Sequence, residues 1–194
     1  MPLKPKTIFN HKGSVVRTSD GQEITLNILK SNPLVVKLSN VLTDDECDTL
    51  ISMSKDKGMT KVEGNDLFVG DSATTVFDVG ENDFIKKLEA RFSEIMCVPV
   101  ERGVGLQTTL YGVDGELKEH LDSKMKNTLI MYLNDTEEGG ETNFSRLNLS
   151  IAPKKGTAVY FESIDSKNNV NQWMAHSGKK VVKGEKWIVT KWTK

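Results

Sequence analysis

The chain has 194 residues and three histidines, one of which stands in KEHLDSK, residues 118–124, two positions before an aspartate. If that stretch is extended, His120 and Asp122 leave the same face of a strand and their side chains converge. An imidazole and a carboxylate are part of the two-histidine, one-carboxylate facial triad, the donor set that holds non-haem Fe(II) and leaves positions open for substrate and oxygen. A further imidazole is required. His176 lies in AHSGKK, ahead of the last strand-like segment, whereas His11, in FNHKG, has the context of a turn or surface residue.

A His-x-Asp pair by itself is weak, because surface loops produce it often by chance. Weight comes from Lys186, ten residues after His176 in GEKWIVTKW. In an extended segment Lys186, Ile188, Thr190 and Trp192 share one face, and Trp187, Val189 and Lys191 share the other. A lysine on the apolar, Trp-bearing face must either snorkel to water or meet an anion. A dicarboxylate bound at the metal would be such an anion.

The elements that position these residues are legible in outline. SVVRT (14–18), EITLNIL (23–29) and LVVKL (34–38) have strand composition. In NVLTDDECDTLISMSKDKG, Thr43 and Glu46 form a capping box, acidic residues fill the first turn, Leu50, Ile51 and Met53 give an apolar face, and Gly58 closes the helix. A second helix is predicted across ENDFIKKLEARFSEIM from the spacing of Phe84, Ile85, Leu88, Phe92 and Ile95. From residue 104 onward, GLQTTLYG, NTLIMYLND, LNLSIAP, GTAVYFE and KWIVTKW follow one another with turn residues between most of them. The pattern is helices first and then a β-rich half, which points to a sandwich, jelly roll or barrel rather than a parallel α/β sheet.

Length fits one domain, residues 1–194, with strands and supporting helices in 1–100 and the metal-binding half in 101–194. A net charge of −1 supplies no global attraction to nucleic acid or anionic lipid, although the last sixteen residues carry six lysines and one glutamate. The amino terminus, MPLKPKTIFNHKG, has no apolar run of signal-peptide length and no segment approaches a membrane span, so a cytoplasmic protein is expected. Cys47 and Cys97 are far apart and lack a CxxC partner, which favours two reduced thiols over a disulfide or zinc site.

Taken in order, the motifs resemble the prolyl 4-hydroxylase branch of the 2-oxoglutarate and Fe(II)-dependent dioxygenases. His120-x-Asp122, the block LIMYLNDTEEGGETNF, the strand PKKGTAVYF, and His176-x-Gly followed by Lys186 of G-x-K-W carry the resemblance. Upstream, NVLTDDECDTLISMSK is similar to the helix that opens these domains, and TIFNHKG to the start of short bacterial members. The resemblance implies an α+β, mainly β fold: a double-stranded β-helix, or jelly roll, with amino-terminal supporting helices. It implies His120, Asp122 and His176 as Fe(II) ligands, and Lys186 as the partner of the distal carboxylate of 2-oxoglutarate. Tyr111 and Thr142 would add hydrogen bonds to that carboxylate, consistent with the donors a buried carboxylate needs. Trp192 matches a tryptophan that lines the substrate site. The implied reaction consumes O2, converts 2-oxoglutarate to succinate and CO2, and hydroxylates a substrate C–H, with ascorbate as accessory reductant and a homodimer left open.

The substrate-reading positions depart from the family's pattern. Leu117 and Leu121 stand where aromatic residues are usual, and Met125, flanked by Lys124 and Lys126, stands near the place of a substrate-binding arginine. The segment between Asp122 and the YLN strand is shorter, and DSATTVF replaces an Arg-Thr-Ser type strand. Proline in a peptide or protein is the leading substrate. Two alternatives stay open: the same chemistry on a nucleobase, amino acid or other small molecule, and a non-catalytic binding module.

Overall fold

Local signals set the ends of both helices in the computed structural model, which describes residues 9–165 and 169–194; Thr7 and Ile8 of the TIFNHKG segment lie outside the described residues. Helix α1 (Asp44–Lys57) follows Thr43, whose hydroxyl accepts from the Glu46 amide while the Glu46 carboxylate accepts from the Thr43 amide, so the capping box is complete. It ends at Gly58, whose φ of 98° favours a residue without Cβ. Helix α2 (Asp83–Met96) is capped by Asn82, whose side chain accepts from the Ile85 amide.

Three strands precede the helices, β1 (Val15–Arg17), β2 (Glu23–Ser31) and β3 (Leu34–Ser39), and three lie between them, β4 (Thr60–Lys61), β5 (Phe68–Val69) and β6 (Ser72–Phe77). After α2 come β7 (Leu106–Tyr111), β8 (Glu116–His120), β9 (Asn127–Tyr132), β10 (Glu138–Gly139) and β11 (Thr142–Phe144). The chain closes with β12 (Leu149–Ile151), β13 (Ala158–Glu162), β14 (His176–Gly178), β15 (Val181–Lys183) and β16 (Lys186–Thr193). LNLSIAP yields only the short β12, because Ser145–Leu147 winds into a 3-10 turn and Asn148 takes a left-handed conformation at its end.

A nine-stranded sheet has the order β1-β2-β3-β13-β9-β16-β7-β6-β4, and a five-stranded sheet the order β12-β11-β14-β8-β5. Two facing antiparallel sheets make the jelly-roll core. The predicted succession of helices and then strands is corrected in one respect: the strands of the first half are not a separate layer, since β1, β2, β3, β4 and β6 extend the large sheet on both sides.

Period-2 alternation divides the large sheet into two faces. Leu129, Met131, Trp187 and Val189 point to the helices and join Cys47 and Leu50 of α1 and Ile85, Leu88, Phe92 and Ile95 of α2 in one buried cluster. Ile130, Tyr132 and Ile188 point the other way and join Phe144, Ile151, Val159 and Phe161 in a second cluster between the sheets. On α1 the buried positions are Glu46, Cys47, Leu50 and Ser54, with Ile51 and Met53 only partly covered, so the predicted apolar stripe is rotated toward Cys47. Strand β9, buried at every position, is the element common to both cores. Burying each of its large apolar side chains stabilises by roughly 1.5–3 kcal/mol. Among the described residues no helix is long and apolar enough to cross a membrane.

Candidate metal and co-substrate site

His120 and His176 are cross-strand partners of β8 and β14, which places their ring centroids 4.3 Å apart. Each ring is oriented from behind. His120 Nδ1 is 2.9 Å from the Lys118 carbonyl and His176 Nδ1 is 2.9 Å from the Met174 carbonyl. A carbonyl only accepts, so both Nδ1 atoms carry the hydrogen and both Nε2 lone pairs face the site. The rings of Phe144 and Phe161, at 5.6 and 4.7 Å between centroids, hold His176 from the side.

Asp122 does not share a strand with His120 as the sequence suggests. Strand β8 ends at His120, and Asp122 lies in the following turn, closed by the Met125 amide donating to the Asp122 carbonyl at 3.0 Å. The carboxylate converges nonetheless: Oδ1 is 3.6 Å from His120 Nε2 and Oδ2 is 4.0 Å from His176 Nε2. One ligand atom from each of His120, Asp122 and His176 lies within 4.8 Å of the others, which fits a single ion. The donor set of two imidazole nitrogens and one carboxylate oxygen suits Fe(II) with open positions.

Electrostatics favour an ionised carboxylate beside neutral His176. Burial would raise Asp122, but the neighbouring imidazoles of His120 and His176 and the hydrogen bond from the Thr128 hydroxyl outweigh it and take the group down to about 2. Burial pushes His176 down to about 4, leaving its nitrogen free to ligate near neutrality. His120 moves the other way: burial alone would lower it, but the adjacent Asp122 carboxylate favours its protonated form more strongly.

Lys186 is 2 % exposed, and burial lowers its ammonium to about 8, opposed by the charge of Glu141. Its Nζ lies over the rings of Tyr111 and Tyr132, 5.3 and 6.0 Å from their centroids, and among the described residues it makes no ion pair or hydrogen bond. Room for this side chain depends on Gly140, where a Cβ would stand 3.2 Å from Lys186 Cδ and where φ is 73°. Tyr111, stacked on Phe68, has no hydrogen-bond partner for its hydroxyl among the described residues. Thr142 accepts from the Tyr132 hydroxyl at 2.8 Å, so its own hydrogen is free to be donated. Burial holds both phenols well above their ordinary range, so they remain donors. A buried cation without an anion, ringed by free donors, fits a carboxylate of a bound ligand.

Tyr111 and Lys186 are thus cross-strand partners on the large sheet, and Thr142, on the facing sheet, is linked to the same space through Tyr132. Trp192 sits at the metal cluster, its indole N–H donating to Asp122 Oδ2 at 3.2 Å. Two participants were not read from the sequence: Thr128, which donates to the same oxygen at 2.6 Å, and Tyr132. Both lie on the Thr128-Ile130-Tyr132 face of β9, a face that alternation identifies once one of its members is known to point inward. Leu117, Leu121 and Met125 are all half-buried, and the two leucines pack against the core between the sheets. His11 lies apart, its Nε2 2.8 Å from the Ile95 carbonyl and 3.3 Å from Cys97 Sγ.

Comparison with known proteins agrees with this geometry. Residues 106–194 match the 2OG-Fe(II) oxygenase superfamily. The chain is 31% identical to probable prolyl 4-hydroxylase 10 of Arabidopsis thaliana, covering 86% of this chain and 71% of that one. It is 30% identical to prolyl 4-hydroxylase 5 of the same plant, covering 86% and 70%. Among solved structures, the viral collagen prolyl hydroxylase of Paramecium Bursaria Chlorella virus-1, in its 2OG complex, superposes with a TM-score of 0.69 at 28% identity, over 81% of this chain and 94% of that chain. A prolyl-4-hydroxylase of Pseudomonas putida shares the fold, with a TM-score of 0.60 at 16% identity, over 82% of this chain and 91% of that chain. The chain belongs to the prolyl 4-hydroxylase branch of the 2-oxoglutarate and Fe(II)-dependent dioxygenases.

Proposed function

We propose that this dioxygenase hydroxylates proline in a peptide or protein, with His120, Asp122 and His176 holding Fe(II) and Lys186 holding 2-oxoglutarate. The observation that carries the reading is the convergence of the three ligand atoms within 4.8 Å, in a chain at least 30% identical to prolyl 4-hydroxylases. Fe(II), when bound, supplies oxygen activation coupled to decarboxylation of the keto acid.

The remaining work falls to residues of this chain. His120 and His176 offer Nε2 because Nδ1 is committed to the backbone. Lys186 and the hydroxyls of Tyr111 and Thr142 orient the co-substrate by its far carboxylate, and Phe68, stacked on Tyr111, limits water around them. Trp192, half-exposed beside Asp122, lines the substrate side. Ascorbate is the reductant we expect to sustain turnover, and the free thiols of Cys47 and Cys97 support a reducing compartment such as the cytoplasm.

A second reading keeps the chemistry and changes the substrate. It is favoured by Leu117, Leu121 and Met125, which replace aromatic and basic side chains with apolar ones. Incubating the Fe(II)-loaded protein with 2-oxoglutarate and a panel of proline peptides separates the two. Gain of one oxygen on proline, by mass spectrometry, is the expected result. Succinate release that no proline peptide stimulates, with every peptide unmodified, would overturn the proline assignment.

A further inference from the structure

Asp122 is held differently from the two histidines. His120 and His176 are fixed by the β8–β14 ladder and by bonds from Nδ1 to the backbone carbonyl two residues earlier in each case, whereas Asp122 lies beyond the end of β8 in a turn. Its side chain is tied instead to the opposite sheet. Thr128 of β9 donates from Oγ1 to Oδ2 at 2.6 Å, and Trp192 of β16 donates from Nε1 to the same oxygen at 3.2 Å. These donors are direct cross-strand partners, and Thr128 is only 1 % exposed. The hydrogen bonds are thus built into the register of the large sheet. Oδ1 receives no such donor, and its near neighbour is His120 Nε2 at 3.6 Å.

We infer that the Thr128–Trp192 pair is a positioning clamp that occupies Oδ2 and presents Oδ1 as the single metal-facing oxygen of Asp122. This rests on the reading of His120, Asp122 and His176 as the metal site. A carboxylate on a short turn can rotate about its Cα–Cβ and Cβ–Cγ bonds and offer either oxygen, or both, to a cation. Committing one oxygen to two donors removes that freedom and keeps further positions of the ion open for co-substrate and oxygen. The clamp also ties the turn after β8 to the large sheet, so the metal site spans both sheets of the jelly roll.

The test is metal binding, read without turnover. Anaerobic calorimetric titration of the apo-protein with Fe(II), and the visible d–d spectrum of the Co(II)-loaded protein, are compared for wild type, Thr128→Val, Thr128→Ser and Trp192→Phe. Valine keeps the shape of threonine and removes the hydroxyl. We expect about 10–100-fold weaker Fe(II) binding and an altered Co(II) spectrum for Thr128→Val. Trp192→Phe should weaken binding less, because its bond is longer, and Thr128→Ser should restore wild-type behaviour. The inference is overturned if wild type binds Fe(II) while Thr128→Val binds it equally well with an unchanged spectrum. It is also overturned if Thr128→Ser is as weak as Thr128→Val, since packing and not the hydroxyl would then matter. Absence of Fe(II) binding in wild type would overturn the metal assignment itself, a different outcome from either of these.

Discussion

Lys186 and Lys191 occupy one strand, each 2 % exposed, yet among the described residues only Lys191 has an anionic partner: its Nζ meets Glu89 Oε1 at 2.5 Å, while Lys186 faces two tyrosine rings. Five positions apart, they point to opposite faces of β16. Lys191 closes a contact with α2; Lys186 waits in the space between the sheets. A folded protein tolerates a buried ammonium without a counter-ion when a ligand supplies one.

The pair predicts opposite consequences for the same substitution. Lys191→Met leaves Glu89 buried without its partner and should destabilise the apo-protein by about 3–5 kcal/mol in a denaturant titration. Lys186→Met should leave apo stability equal or higher while weakening 2-oxoglutarate binding by at least about 30-fold, as expected for losing a buried charge partner. Normal 2-oxoglutarate affinity in Lys186→Met would show the ammonium to have another role.

The pH dependence of stability follows from the same group. Burial holds Lys186 at about 8 in the folded chain against an ordinary 10.5. Below pH 8 both states carry the proton and the penalty is fully present; between about 8 and 10.5 the unfolded chain binds more protons, so stability rises with pH across that window. The gain is on the order of a few kcal/mol. The charge of Glu141 and the hydroxyls of Tyr111 and Tyr132 face the same space, so the contribution is read as the difference between wild type and Lys186→Met. That difference should shrink when 2-oxoglutarate is bound.

His176→Ala removes the most deeply buried of the three candidate ligands. Iron-dependent succinate formation should fall to background, at least about 1000-fold, and Fe(II) uptake with it. Near-normal activity would show the third ligand to be another residue.

Far from the site, Arg91 joins the helices to the amino-terminal strands. It donates to both oxygens of Glu46, at 2.6 and 2.7 Å, and to Asp20 Oδ2 at 2.6 Å, and it is 2 % exposed. Arg91→Met should cost about 3–5 kcal/mol by leaving Glu46 without this partner in the interior. Metal affinity of the fraction that remains folded should be unchanged, measured well below the melting temperature.

Much of this was legible in the chain. The capping box of Thr43 and Glu46, the stop at Gly58 and the spacing along α2 are local, because their causes lie within a few residues of each other. Alternation in GEKWIVTKW separates Lys186 from Lys191, and ordered motifs name the candidate ligands. Less accessible was the turn that carries Asp122. Extended geometry places it with His120, whereas β8 stops at His120, two residues short of Asp122. The carboxylate still reaches the site because Thr128 and Trp192 draw it there from another sheet.

The sequence by itself therefore determined the types of the chemical groups, their order and the faces of the strands that bear them, since side-chain periodicity is a property of the backbone. Tertiary structure alone decided which faces meet. Pairing of β8 with β14 makes neighbours of two distant histidines, and pairing of β9 with β16 makes a two-donor grip from Thr128 and Trp192. Antiparallel register across a long separation is set by the packing of whole sheets, not by signals near either residue. The unpaired state of Lys186 among the described residues is likewise a property of its surroundings: alternation places it and Lys191 on opposite faces of the strand, but only the assembled core shows which face supplies a carboxylate.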